Sequence, residues 1–195
     1  MASTATPMGA RPQGSAVSCV YKAKITHYKI AASYGTSIFY GDFVKWADDN
    51  PNTTIQKDTG TTSMTPIGVF LGVSYTDPST GQATFNQYYP ASTNASDIMA
   101  YVASDPFLIM QMQSDESLTQ DDLGKNVAVI QTAGSTAVGT SKNAVDGSSA
   151  ATTNTLPLKI VDFVEGSDSA IGDSFTDVLV MFNAGHQLLN TTGIG

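Results

Sequence analysis

Charge is scarce in this chain, and so are cysteine, histidine and glutamate. Only 13% of the 195 residues are charged, against roughly 25% in an ordinary globular protein, so the surface must be built from neutral polar groups. A single cysteine, Cys19, excludes an intramolecular disulfide and any multi-cysteine zinc or iron–sulfur site. The acids are 15 Asp and only two Glu, Glu116 and Glu165. A helical surface draws heavily on Glu and Lys, so this balance argues against a helical bundle or coiled coil. No apolar run approaches the roughly 18 residues that span a bilayer, and the Ala/Ser/Thr/Pro-rich start lacks a basic stretch followed by an apolar one. Neither a membrane partner nor a classical export signal is expected, and synthesis in the cytoplasm is.

What is present favours strands and turns: 20 Ser, 24 Thr, 17 Gly, 8 Tyr and 8 Phe. Short β-rich segments bounded by Gly, Asp, Asn or Pro run over Val17–Lys24, Ser37–Trp46, Pro66–Tyr75, Gln82–Tyr89, Asp97–Ala103, Phe107–Gln113, Lys125–Gln131, Leu156–Glu165 and Asp177–Asn183. In the first, alternation places Cys19, Tyr21, Ala23 and Ile25 on a buried side and Lys22, Lys24 and Thr26 on a wet one. Thr76-Asp77-Pro78-Ser79-Thr80-Gly81 has turn chemistry at nearly every position and predicts a hairpin. Ser117 to Gly124 predicts one helical turn ended by its glycine.

These segments predict an all-β chain: an extended N-terminal arm over 1–16, a β-rich body over 17–186 and a tail over 187–195. The arm holds Pro7, Gly9, Pro12 and Gly14 with little to bury, so it is expected to stay mobile without a partner surface. Residues 132–155 are almost all Ala, Gly, Ser, Thr, Asn and Val. They read as a long polar loop, with a β-ribbon near Ala137–Ser141. Core positions are expected at Ile38, Val44, Ile67, Val69, Leu71, Ile160, Phe163, Val178 and Val180.

Net charge is -8, unevenly spread. Residues 1–30 carry Arg11, Lys22, Lys24 and Lys29 without an acid, which leaves the remainder at -12. So acidic a body argues against nucleic acid as a partner. The basic segment instead suits an acidic surface, its own or a partner's, through Arg11, Lys22 and Lys24.

No catalytic, cofactor-binding or metal site is expected. The only histidines are His27 and His186, no Gly-x-Ser-x-Gly elbow occurs, and neither histidine has a second strong ligand at metal spacing. The carboxylate pairs Asp48-Asp49 and Asp121-Asp122 do not follow a calcium-loop pattern. Trp46 and the pair Tyr88-Tyr89 are the aromatic groups that could stack on a sugar or anchor a partner.

Two segments carry a resemblance: Tyr34-Gly-Thr-Ser-Ile-Phe-Tyr-Gly41-Asp42-Phe-Val-Lys45 and, after a turn-rich stretch, Pro66-Ile-Gly68-Val-Phe-Leu-Gly72-Val. Their order resembles that of the decoration, or cement, proteins of tailed-bacteriophage capsids, podovirus-like ones included. The later Phe85 to Ala91, Ala100 to Pro106 and Asp122 to Asn126 are similar to structural proteins of such phages. The resemblance implies a compact β-barrel or β-tulip body and a virion protein on the outer capsid surface. It further implies that the protein bridges subunits of the major capsid protein and associates with itself, as a homotrimer or alternatively a homodimer. A carbohydrate-binding receptor module of a tail or fibre is the alternative function, and a secreted hydrolase domain the third. Independently of it, Gly41-Asp42 breaks the run from Ile38 to Val44 where a bend would turn a barrel strand, and Gly68 and Gly72 let another backbone approach.

Overall fold

Segments of four to nine β-forming residues with turn residues between them satisfy their backbone groups only by pairing sideways. The computed structural model describes residues 3–17, 24–47 and 54–190. Among these, the strands in chain order are β1 (Arg11–Ser15), β2 (Ile25–Ile30), β3 (Phe43–Trp46), β4 (Thr54–Lys57), β5 (Gly68–Thr76) and β6 (Ala83–Asn86), followed by β7 (Met99–Ala103), β8 (Leu108–Gln113), β9 (Asn126–Ile130), β10 (Ala144–Ala151), β11 (Leu158–Phe163) and β12 (Asp177–Phe182). Short 3-10 turns at Gln120–Asp122 and Leu188–Asn190 are the helical elements of the described chain. The fold is all-β.

One sheet runs β3-β4-β2-β7-β5-β6, and an added β3–β5 pairing closes its first five strands into a barrel. Barrel closure removes the free edges of those strands. The second sheet runs β1-β8-β12-β11-β9-β10, and a parallel bridge between Ser114 and Val145 curls β10 back toward the end of β8.

Alternation on β3, β5 and β7 produces two cores with one wall between them. Val44, Phe70, Val73, Ala100 and Val102 face the barrel interior with Ile38, Ile55, Ile67, Tyr89 and Ile98. Phe43, Val69 and Ala103 point the other way, into a second core with Met110, Met112, Val127, Leu158, Ile160, Val178 and Val180. A bulge between Phe70 and Gly72 on β5 lets Phe70 and Val73, three residues apart, both face the barrel. Gly68 is needed on the same strand, since a Cβ there would run into the Ala103 carbonyl of β7. The nine expected core residues pack in one cluster or the other, Leu71 and Phe163 only partly buried.

The hairpin at 76–81 forms between β5 and β6, with the Asp77 amide on the Gln82 carbonyl at 2.8 Å. Four strands depart from the sequence reading. Ser117–Gly124 contains its expected turn, but the polar excursion contains all of β10, paired along β9. Its Ser and Ala side chains carry no strand signal; the ladder and the burial of Val145 in the second core hold it. In place of the ribbon expected near Ala137–Ser141, Thr140 makes isolated bridges to Ser135 and to Tyr40. β4 and β2 lay outside the expected strands. For the strand expected over 17–24, residues 18–23 lie outside the described residues. Ile25, expected on the buried side, is exposed, because Tyr28 and Ile30 face the barrel and period two puts Thr26 with them.

The N-terminal segment is not free. β1 pairs antiparallel with β8, Ala10 sits fully buried in the second core, and Thr6 N–H donates to Gln113 Oε1 at 2.7 Å. The body itself supplies the surface that offsets the ordering entropy of residues 3–17. The segment begun at 187 is docked as well: Gln187 is buried, and the Leu188 amide donates to the Pro66 carbonyl at 3.0 Å.

Candidate interaction surface

Three strands end the sheets with an unclosed side: β1, β10 and β6. Edge strands offer unpaired N–H and C=O groups to a partner chain unless something blunts them. β1 is blunted by Pro12, which has no N–H, and by a register shift between Pro12 and Gly14. β10 is broken by a shift between Asp146 and Ala151. β6 has no such device. Its pairing with β5 is regular over Ala83–Asn86, and Phe85 is 75% exposed. Residues 78–96 contain no charged residue or histidine.

Two carboxylates fix this hairpin. Asp77 accepts from Ser79 Oγ at 2.6 Å and the Ser79 amide at 2.7 Å, and Asp97 accepts from Thr76 Oγ1 at 2.6 Å and the Thr76 amide at 3.1 Å. Hydrogen bonds from the Ser79 hydroxyl and amide hold the Asp77 carboxyl below its ordinary value, and those from Thr76 do the same for Asp97.

Beyond β6 the surface continues onto the turn at 138–139. A Cβ added at Gly139 would meet Gln87 and Tyr88 at ordinary contact distance, and Val138 beside it is 65% exposed. Phe85 and Val138 are thus large apolar side chains in water, Phe85 with the exposed Asp97 carboxylate beside it, a mix of apolar anchor and polar rim that suits a contact surface. Neither was singled out by sequence, although the charge-free run from 78 to 96 was a signal for it.

The residues that were singled out are not brought together. Tyr88 does lie on this flank, half-buried and stacked on Phe39 with ring centroids 5.4 Å apart. Tyr89 cannot contact a partner: it is fully buried in the barrel, its hydroxyl donates to the Tyr34 carbonyl at 3.1 Å, and burial pushes its phenol up. Adjacent residues on extended backbone face opposite ways, and here one of the two faces is the core. Arg11 lies on β1, its guanidinium against Met8 Sδ, beside Gln113 and Asp177. Lys24 is exposed at the start of β2, where its carbonyl accepts from the Ser104 amide. Lys22 lies outside the described residues.

The histidines make structural contacts. His27 packs edge-on against Tyr101 at 4.7 Å. His186 is half-buried, with Nδ1 3.1 Å from the Met64 carbonyl and Nε2 3.1 Å from that of Asn154. Both ring nitrogens are thereby occupied by main-chain oxygens. Trp46 packs edge-on against Tyr28 at 5.1 Å. Among the described residues no cluster of His, Cys, Asp or Glu could hold a metal ion.

In comparison with known proteins, no family model, no curated protein and no solved structure matches this chain.

Proposed function

We propose that this protein is a structural component of a tailed-bacteriophage virion that binds the outer surface of the capsid and bridges neighbouring major capsid protein subunits. The observation that carries the reading is the meeting of the two resemblance-bearing segments. Phe43 pairs with Val69 and Val44 with Gly68, at the seam that closes the barrel. The Ile67 amide donates to the Val44 carbonyl at 2.8 Å, and that of Phe70 to the Asp42 carbonyl at 2.9 Å. The two segments thus form one structural unit. The β6 flank gives such a protein a means of attachment by main-chain pairing and apolar anchoring. The barrel and hairpin meet the partner already ordered, which keeps the cost of binding low. Self-association is expected as a trimer, with a dimer as the alternative. The carbohydrate-binding reading is the weaker, since Tyr89 is buried and Tyr88 and Trp46 already have aromatic partners.

Co-sedimentation of the purified protein with capsids lacking it tests the reading. Saturable binding in fixed ratio to the major capsid protein is expected, and Phe85→Ser should weaken it at least about tenfold, as for an interface anchor worth over 1 kcal/mol. Absence of binding, or glycan binding in its place, would remove the proposal.

A further inference from the structure

One carboxylate holds the junction between the barrel and the second sheet. Asp42 is fully buried, and its two oxygens share four partners. Oδ2 accepts from the Phe39 amide at 2.9 Å and lies 2.9 Å from Lys57 Nζ. Oδ1 accepts from Ser141 Oγ at 2.7 Å and from Asn143 Nδ2 at 3.2 Å. Asn143 is itself fully buried, the Lys57 side chain is only 9% exposed, and Asn143 Oδ1 accepts from the Thr132 amide at 3.1 Å.

A primary amine and a carboxamide therefore sit on the two oxygens of one carboxyl group, with a backbone N–H already on the amide oxygen. Those are the parts of an acyl transfer: nucleophile, electrophile, proton carrier and oxyanion donor. An amide is a poor electrophile in water. Held beside a nucleophile in a dry site, the same reaction gains an effective concentration of about 10⁵ M or more.

We propose that Lys57 and Asn143 join through an intramolecular isopeptide bond, with Asp42 as the proton carrier. A proton passes from the Lys57 ammonium to Asp42 Oδ2. The freed lone pair on Nζ attacks Asn143 Cγ, and the carbonyl electron pair moves onto Oδ1, where the Thr132 N–H meets the new charge. Asp42 delivers its proton to Nδ2 and takes one from Nζ. As the carbonyl re-forms, the Cγ–Nδ2 bond breaks, and the departing ammonia takes the remaining proton from Asp42. In balance, one ammonium side chain and one carboxamide become one secondary amide and one ammonium ion, and Asp42 ends as it began. No oxidant, reductant or co-reactant enters.

The bond would tie the end of β4 to the residue preceding β10, linking barrel to second sheet in a chain whose single cysteine offers no disulfide. It closes a long loop, the arrangement in which a covalent tie most restricts the unfolded chain.

Intact-mass spectrometry of the purified full-length protein tests this. The expected mass is about 17 Da below that of the unlinked chain, the loss of one ammonia. A tryptic digest should contain a branched peptide joining the fragments that bear Lys57 and Asn143, with no cleavage after Lys57. Lys57→Arg keeps a cation on Asp42 but removes the amine, so it should fold with the same far-UV dichroism, show the unlinked mass and yield no branched peptide. An unlinked wild-type mass after prolonged incubation would overturn the proposal. So would a loss of ammonia that persists in Lys57→Arg, which would place the reaction elsewhere in the chain. Asp42→Asn should block the bond, and its formation there would remove Asp42 from the role assigned to it.

Discussion

The barrel fills its core from its own five strands and the segments that flank them, whereas the second sheet completes its core only by taking Phe43, Val69 and Ala103 from the barrel's outer wall and Ala10 from the N-terminal segment. The first is locally self-sufficient and the second is not. Dependence of this kind makes β3, β5 and β7 the elements whose loss both halves feel. It also explains why a segment as poor in apolar residues as 3–17 is ordered: the second core has a place for it.

The most severe way to break this relation is at the shared wall. Val69→Asp places an unpaired carboxylate in a fully buried position, at a cost of several kcal/mol, and should prevent folding of both halves. Loss of cooperative unfolding by circular dichroism would show it; a folded barrel with only the second sheet disordered would mean the halves are separable.

Next in size is the junction carboxylate. Asp42→Ala leaves Lys57 buried without its partner, which should cost about 3–5 kcal/mol in denaturant unfolding. Part of that loss should be absent in the double variant Asp42→Ala with Lys57→Met, where no charge is stranded. Equal losses in both would mean that the stranded Lys57 charge contributes nothing to the effect.

Deleting residues 1–16 should destabilise the second sheet more than the barrel, because it removes β1, the Ala10 side chain and the hydrogen bonds of Thr6. Hydrogen exchange should quicken in β8 and β12 while β2, β4 and β7 stay protected. Uniform exchange across both sheets would contradict the asymmetry.

The smallest effect concerns acid. Asp77, Asp97 and Asp122 are held below their ordinary value of 3.8, Asp122 mainly by the hydrogen bond from Lys125 and the others by Ser79 and Thr76. A depressed folded-state value means the stabilisation is complete above the ordinary value and is lost as pH falls through the lowered one. Thermal stability should therefore decline modestly below about pH 4. Asp97→Asn should flatten that decline by lowering stability at neutral pH, where the contribution of the Asp97 carboxylate is complete, toward its acid value.

Strands with an apolar alternation or a continuous apolar run were legible beforehand: 66–75, 97–103, 107–113, 125–131 and 177–183 all contain a strand. β1 and β10 were not, because RPQGS and AVDGSSAA have almost no side chains that favour a strand. Their pairing comes from neighbours that are distant in sequence. The interaction surface was half legible. Tyr88 lies on it, but Tyr89 belongs to the core, and Phe85 was hidden because exposure depends on which edge a strand occupies. Likewise Asp42 stood out only as part of a bend; its contacts with Lys57, Ser141 and Asn143 span up to 101 residues.

Composition by itself determined the all-β character, the hydroxyl-rich surface and the absence of an intramolecular disulfide, since these follow from residue types and their short-range preferences. The hairpin at 76–81 and the turn at Gln120–Asp122 followed from residues that act on their own backbone. Tertiary structure decided which strands neighbour one another, that five of them close, that the N-terminal segment docks on its own body, and that a lysine, an aspartate and an asparagine meet out of water. Backbone pairing is nearly indifferent to sequence, so order and closure are settled by how the two cores fill. Only the folded chain sets that.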